Sequence, residues 1–131
     1  MSKIFVSFDE YLLENISDQT MDKLEDLITN KLVSVVDYRG EHIGDILDGI
    51  RVIEPYSVGV GEKGETYMRA WLVKGISKTG KIDPRCVPGW RLFKVSRVKT
   101  INPTLQKFTV ARKGYNKQDS IMKEVMFTAS F

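Results

Sequence analysis

Three short stretches of this 131-residue chain set arginine beside an aromatic ring. They are Arg51-Val-Ile-Glu-Pro-Tyr56, Thr66-Tyr-Met-Arg-Ala-Trp-Leu72 and Pro88-Gly-Trp-Arg-Leu-Phe-Lys-Val-Ser-Arg-Val98. A guanidinium fork pairs with phosphate and stacks on a base, and an aromatic ring stacks a base as well. The chemistry within reach is therefore recognition of a ligand that carries both negative charge and flat rings. The candidate cations are Arg39, Arg51, Arg69, Arg91, Lys94 and Arg97, and the candidate rings are Tyr38, Tyr56, Tyr67 and Trp71, with Trp90 and Phe93 adding aromatic surface. Tyr38 and Tyr56 are expected to be exposed, whereas Phe93 and at least one of Tyr67 and Trp71 are expected in the core. The competing reading pairs these cations with Glu54, Glu65 or Asp37 as surface ion pairs, which contribute little energy.

Catalytic chemistry finds no comparable grouping. His42 is the only histidine and Cys86 the only cysteine, and neither stands in the spacing of a zinc motif or a nucleophile–base pair. Gly59, Gly61 and Gly64 spell a GxGxxG run, but no helix opens after it and no βαβ unit surrounds it. Asp45 and Asp48 sit in a turn-rich acidic segment and read as solvated carboxylates. A non-enzymatic protein with no metal and no cofactor is expected.

The charge is divided unevenly along the chain. Residues 1–50 carry 4 Lys/Arg against 11 Asp/Glu, net −7, and residues 51–131 carry 16 against 6, net +10. A basic part of this kind wants a polyanion, and nucleic acid is the commonest one. The alternative is that the acidic part meets the basic part, within one chain or between copies. With 42% hydrophobic residues the chain can bury a core without disulfides. A lone cysteine, no signal-peptide pattern and no apolar run of ~20 residues lead to the expectation of a cytoplasmic protein without membrane contact.

The elements that must position the candidate residues are mostly strands. Ser7–Asn15 reads as a short helix or as an extended arm. Ile16, Met21, Leu24, Leu27 and Ile28 recur at helical spacing behind a capping Ser17 or Thr20, predicting a helix over 17–30. Residues 32–38 turn β-branched, 46–60 form a second β region with Pro55 marking an edge, bulge or strand end, and 65–76 return as its hairpin partner. A polar loop follows over 77–89. Residues 91–101 read as one strand broken by Asn102-Pro103, 108–111 as a short strand or turn, 113–119 as a loop and 125–131 as a closing strand. Close turns between short strands after a helix predict a mainly β, α+β fold built on a small, strongly curved sheet or barrel. The helical part is placed at 1–30, against a β part at 31–131.

Four segments in order resemble the WYL domain: Val35-Val-Asp-Tyr-Arg-Gly40, Arg51-Val-Ile-Glu-Pro-Tyr56, Gly64-Glu-Thr-Tyr-Met-Arg-Ala70 and Arg91-Leu-Phe-Lys-Val-Ser-Arg-Val98. The likeness covers roughly residues 20–101. The naming Trp-Tyr-Leu run corresponds to Thr66-Tyr67-Met68, so only the tyrosine is kept, and Ser96 stands at a usually acidic place. The resemblance implies an Sm/SH3-like β-barrel preceded by one or two helices, in a bacterial or phage protein. It also implies binding of single-stranded DNA or RNA, or a nucleotide-like ligand, through basic and aromatic residues in a regulatory or accessory role. About 30 residues precede the first strand, too few for a winged helix of ordinary size. The alternative function is a protein-interaction or assembly factor, such as a phage accessory protein or a homo-oligomer, that binds no nucleic acid.

Overall fold

The computed structural model describes residues 16–40, 48–77 and 79–131. The α-helix of the described residues, α1 (Asp18–Thr29), begins where the Ser17 hydroxyl accepts the Thr20 N–H at 3.1 Å, with Asp18 in the first turn. It ends where Lys31 takes the left-handed conformation at φ 53°. Leu24, Leu27 and Ile28, the apolar face expected from the spacing, are buried. The expected element over Ser7–Asn15 lies outside the described residues, as do His42 and Asp45.

Seven antiparallel strands follow among the described residues: β1 (Leu32–Tyr38), β2 (Gly49–Val60), β3 (Thr66–Ile76), β4 (Ile82–Asp83), β5 (Gly89–Lys94), β6 (Val98–Lys107) and β7 (Glu124–Thr128). The described residues are therefore mainly β with one helix ahead of the strands, and these strands form an open antiparallel sheet. The order β4-β3-β2-β1-β6 forms its spine. Two long strands each divide one edge between two neighbours. β3 gives one end of its outer edge to β4 and the other to β5, and β2 pairs with β1 over its first half and with β7 over its last residues.

The division on β2 falls at Pro55. Pairing to β1 stops at Ile53 and pairing to β7 starts at Ser57, and between them the β3 register slips so that Tyr56 has no partner of its own. Proline has no N–H to give a ladder, so the expected bulge forms here. Burial is continuous from Ile53 to Gly59, which means that β2 is covered on both faces. Across β3 it alternates instead. Thr66, Met68, Ala70 and Leu72 are buried, while Tyr67, Arg69 and Trp71 point the other way and are half-buried. The inner layer, under α1, holds Leu24, Leu27, Ile28, Val36, Ile53, Met68, Phe93 and Ile101, all at most 3% exposed.

Two expectations about strands are corrected. Residues 91–101 are not one strand, because a 3₁₀ turn, η1 (Val95–Arg97), divides β5 from β6. Val95 is buried there, and the Arg97 carbonyl accepts the Arg39 N–H at 2.9 Å, so the chain crosses from β3 to β1 at this turn. Asn102-Pro103 does not end a strand either. β6 borders β1 on one side only, and beyond the proline the Thr104 hydroxyl donates to the Val33 carbonyl at 2.7 Å. The polar loop before β5 contains the two-residue strand β4. Among the described residues no helix is long and apolar enough to cross a membrane.

Candidate ligand-binding face

Cross-strand partners in an antiparallel sheet share a face. The registers of β2, β3 and β5 therefore line up Glu54, Trp71 and Trp90 in one row, Ser57, Arg69 and Leu92 in the next, and Gly59, Tyr67 and Lys94 in a third. The bulge adds Tyr56 to the same side, and its ring lies 4.8 Å from Trp90, edge to face. Five of the ten candidate residues thus gather on this outer face: Tyr56, Tyr67, Arg69, Trp71 and Lys94.

The chain's own last segment lies over much of this face. The rings of Phe108, Tyr115 and Phe131 surround Tyr56 at centroid distances of 5.0, 4.8 and 5.7 Å. Tyr115 also stacks on Trp90 at 6.3 Å with 25° between the planes, and the Arg112 guanidinium sits over Trp71 at 5.1 Å. Gly114 makes the close approach possible. Its φ of 91° turns the segment above Trp90, whose indole N–H donates to the Lys113 carbonyl at 2.9 Å.

Two charged contacts pin the segment down. Arg112 grips the buried Glu54 carboxylate with two bonds, Nε–Oε1 at 3.0 Å and Nη2–Oε2 at 2.9 Å. The Tyr56 hydroxyl donates to the same carboxylate at 3.2 Å and accepts the Arg112 N–H at 3.0 Å. Burial, helped by the Glu54 charge and partly offset by the Arg112 bond, pushes the Tyr56 phenol up to about 12. Farther along, Arg69 holds Asp119 through Nε–Oδ2 at 2.6 Å and Nη2–Oδ1 at 3.2 Å. Burial alone would raise the Asp119 carboxyl, but the hydrogen bonds from Arg69 and the Ile121 N–H outweigh it and hold the group below the usual carboxylate range. Burial likewise raises Tyr115, against the opposing bonds of its hydroxyl to Thr128 and to the Ala129 carbonyl.

Between the outer face and this segment an open cleft of about 280 Å³ remains, lined by Arg69, Trp90, Gly114, Tyr115, Asn116, Asp119 and Ser120. Lys113 and Lys117, both exposed, flank its lining residues in the chain. A cleft with a guanidinium at one wall and an indole at the other has the chemistry to hold a flat ring and an anion together.

The remaining candidates lie elsewhere. Tyr38, expected exposed, is 3% exposed, because its ring meets Phe93 edge to face and its hydroxyl accepts the Lys94 N–H. Tyr56, also expected exposed, is 0% exposed because the C-terminal rings enclose it. Phe93 is in the core as expected, while Tyr67 and Trp71 are both half-buried, so neither is the core ring that was expected of one of them. Arg51 is 2% exposed, and its fork donates to the Ile50 and Asp48 carbonyls. Arg97 donates to the Arg39 and Gly40 carbonyls, so Tyr38, Arg39, Arg51 and Arg97 gather where β1 ends and β2 begins. Arg91 pairs with Ala70 across the ladder, which turns it to the opposite face from Arg69. The arginines therefore do not form one row across adjacent strands. Of the expected ion pairs, Glu65 meets Lys94 at 3.3 Å, but the partner of Glu54 is Arg112.

Sequence reasoning missed Arg112, Tyr115 and Asp119. The signal was the same as elsewhere, an arginine near a ring in Arg112-Lys-Gly-Tyr115, but it lay in a stretch with no strand pattern. Among the described residues no group of three or more His, Cys, Asp or Glu converges to hold a metal ion. No protein-family model matches the chain, and no curated protein or solved structure matches it.

Proposed function

We propose that this chain is a non-enzymatic, WYL-like binding module that takes single-stranded nucleic acid or a nucleotide-like ligand on the outer face of β2, β3 and β5. The observation that carries the reading is the convergence of Arg69 and Trp90 on one open cleft. Phosphate meets the Arg69 fork, a base meets the indole, and Lys113 and Lys117 release counterions as they neutralise neighbouring phosphates. Of the predicted site residues the cleft draws on Arg69, with Trp90 as its ring, while Tyr67, Trp71 and Lys94 share the outer face around it. A barrel of the Sm/SH3 type is the finer form of the fold reading. It is supported by the 3₁₀ turn, which carries the chain from the partner of β3 to the partner of β1 and so links the sheet's two sides.

The test is fluorescence anisotropy with labelled single-stranded DNA and RNA at two salt concentrations. Affinity should fall as salt rises and should exceed that for a duplex of the same length. Arg69→Gln should weaken binding about tenfold, as expected for losing a charge-assisted bond. A folded Arg69→Gln protein with unchanged affinity would remove the site assignment. The assembly alternative has its own support in Leu105, on the outer strand β6, and Val110, three residues beyond its end, which are 103% and 77% exposed. A salt-sensitive oligomer with no nucleic-acid affinity would favour it.

A further inference from the structure

The segment over the cleft makes the two contacts that a nucleotide would make. Tyr115 lays a flat ring on Trp90, and four residues later Asp119 sets two carboxylate oxygens on the Arg69 fork. The donor of that carboxylate is conspicuous. From residue 107 to 123 the chain carries Lys107, Arg112, Lys113, Lys117 and Lys123, and Asp119 is the single acid among them. A stretch made to approach anions thus directs its only carboxylate onto the arginine that would bind one. We infer that residues 113–120 are an internal surrogate ligand, with Asp119 in the place of phosphate, and that a phosphorylated nucleoside unit binds by displacing them. The inference rests on the binding reading above and adds the ligand unit and its competitor.

The segment is built to leave. Residues 108–123 belong to no strand, and their bonds to other backbone groups are two local turns, Tyr115 N–H to Arg112 at 3.1 Å and Met122 N–H to Asp119 at 3.0 Å, with Phe108 tied to Lys31 at the start; side chains of the sheet add the Trp90 indole on the Lys113 carbonyl and the Tyr56 hydroxyl on the Arg112 N–H. Such short, solvent-facing turns open at lower free energy than paired strands. The anchors at its ends differ in kind. Arg112 is fixed on Glu54, a buried carboxylate that belongs to the sheet itself, whereas the Arg69 fork is held by Asp119 of the segment and lies in the lining of the open cleft, where a ligand anion can compete for it. Displacement would therefore start at Asp119 and leave Arg112 as the hinge. Once freed, Lys113 and Lys117 stay beside the incoming phosphates.

The experiment compares wild type with Asp119→Asn, Gly114→Ala and Glu62→Gln in the anisotropy assay, using labelled oligothymidylate and oligouridylate. Asparagine keeps an oxygen for the Ile121 N–H, now accepted at 3.1 Å, while ending the charge pairing with Arg69. Asp119→Asn should bind about tenfold more tightly than wild type. Gly114→Ala, strained at φ 91°, should loosen the turn and tighten binding severalfold without touching Arg69. Glu62→Gln removes an exposed acid from the β2–β3 turn and reports the effect of net charge alone, which should be much smaller. Hydrogen exchange on wild type should show the Tyr115 and Met122 amides losing protection when oligonucleotide is added. If all four proteins bind equally, or these amides stay protected in the complex, the segment is no competitor and the inference falls while the binding reading stands. Should none of them bind, the binding reading fails and takes the inference with it.

Discussion

Removing one oxygen from Tyr56 tests how the C-terminal segment is held. The Tyr56 hydroxyl makes two bonds, accepting the Arg112 N–H at 3.0 Å and donating to Glu54 at 3.2 Å. A neutral bond contributes about 1 kcal/mol, and the long bond to a carboxylate falls at the low end of the charged range, about another 1 kcal/mol. Tyr56→Phe keeps the ring in place among its four aromatic neighbours, so no cavity cost is added. The expected loss is about 2 kcal/mol, or roughly 8 °C in Tm for a domain of this size. Urea melts followed by tryptophan fluorescence give the value directly, with an unchanged m-value as the check on two-state behaviour. The pH dependence supplies a second test. An unfolded tyrosine ionises near 10, and the folded Tyr56 is pushed up to about 12, so its contribution is complete below pH 10 and is lost as pH rises through 12. The stability gap between wild type and Tyr56→Phe should therefore narrow between these values. A folded variant that loses less than about 0.5 kcal/mol would mean that the hydroxyl is not engaged as described.

Two further outcomes follow from the geometry. Asp83 is held down to about 2 by hydrogen bonds from Arg85, and Asp119 lies below 3.8 because the Arg69 bonds outweigh burial. Both depressed carboxylates stabilise the fold above pH 4, and that contribution is lost as pH falls below it, for Asp83 down to about 2; Asp119→Asn should flatten part of the decline in acid melts, and an identical acid profile would contradict the Arg69 pairing. Gly59→Ala would set a Cβ 2.5 Å from the Glu124 carbonyl oxygen and 2.7 Å from the Met122 sulfur. That clash with backbone should cost about 1–3 kcal/mol and speed amide exchange in β7, and a melt matching wild type would show that the β2–β7 seam is looser than described.

Local patterns were legible wherever one face of an element is buried. The 3.6-residue spacing of Leu24, Leu27 and Ile28 marked α1, and the β-branched run at Leu32–Tyr38 marked β1 to the residue. β3 was legible because Tyr67, Arg69 and Trp71 alternate with buried neighbours. What was hidden depended on tertiary partners. Nothing local reports that β2 changes partner at Pro55, or that the resulting bulge draws Tyr56 under three C-terminal rings. Arg51 looked like Arg69 in sequence, yet carbonyls of its own strand end absorb its fork. The split at Val95–Arg97 was masked by strand-forming residues on both sides, and Pro103 misled because a proline reads as a break until the strand is known to lie outermost.

The shared edge of β2 also sets an order in time. Every ladder among β1, β2, β3, β5 and β6 is complete once residue 107 has left the ribosome, but Ser57 waits for Thr128. The β2–β3 hairpin closes over a short turn, whereas Ser57–Thr128, like Leu32–Lys107, must first close a long loop. The nascent protein thus passes through a stage in which the inner layer is folded while Tyr56, Trp71 and Trp90 still face water. Pulse-labelled exchange during refolding would show β3 amides protected before those of β7, and simultaneous protection would refute this order. For as long as that interval lasts, the young chain is at its stickiest, and ribosome-bound chaperones would meet it there.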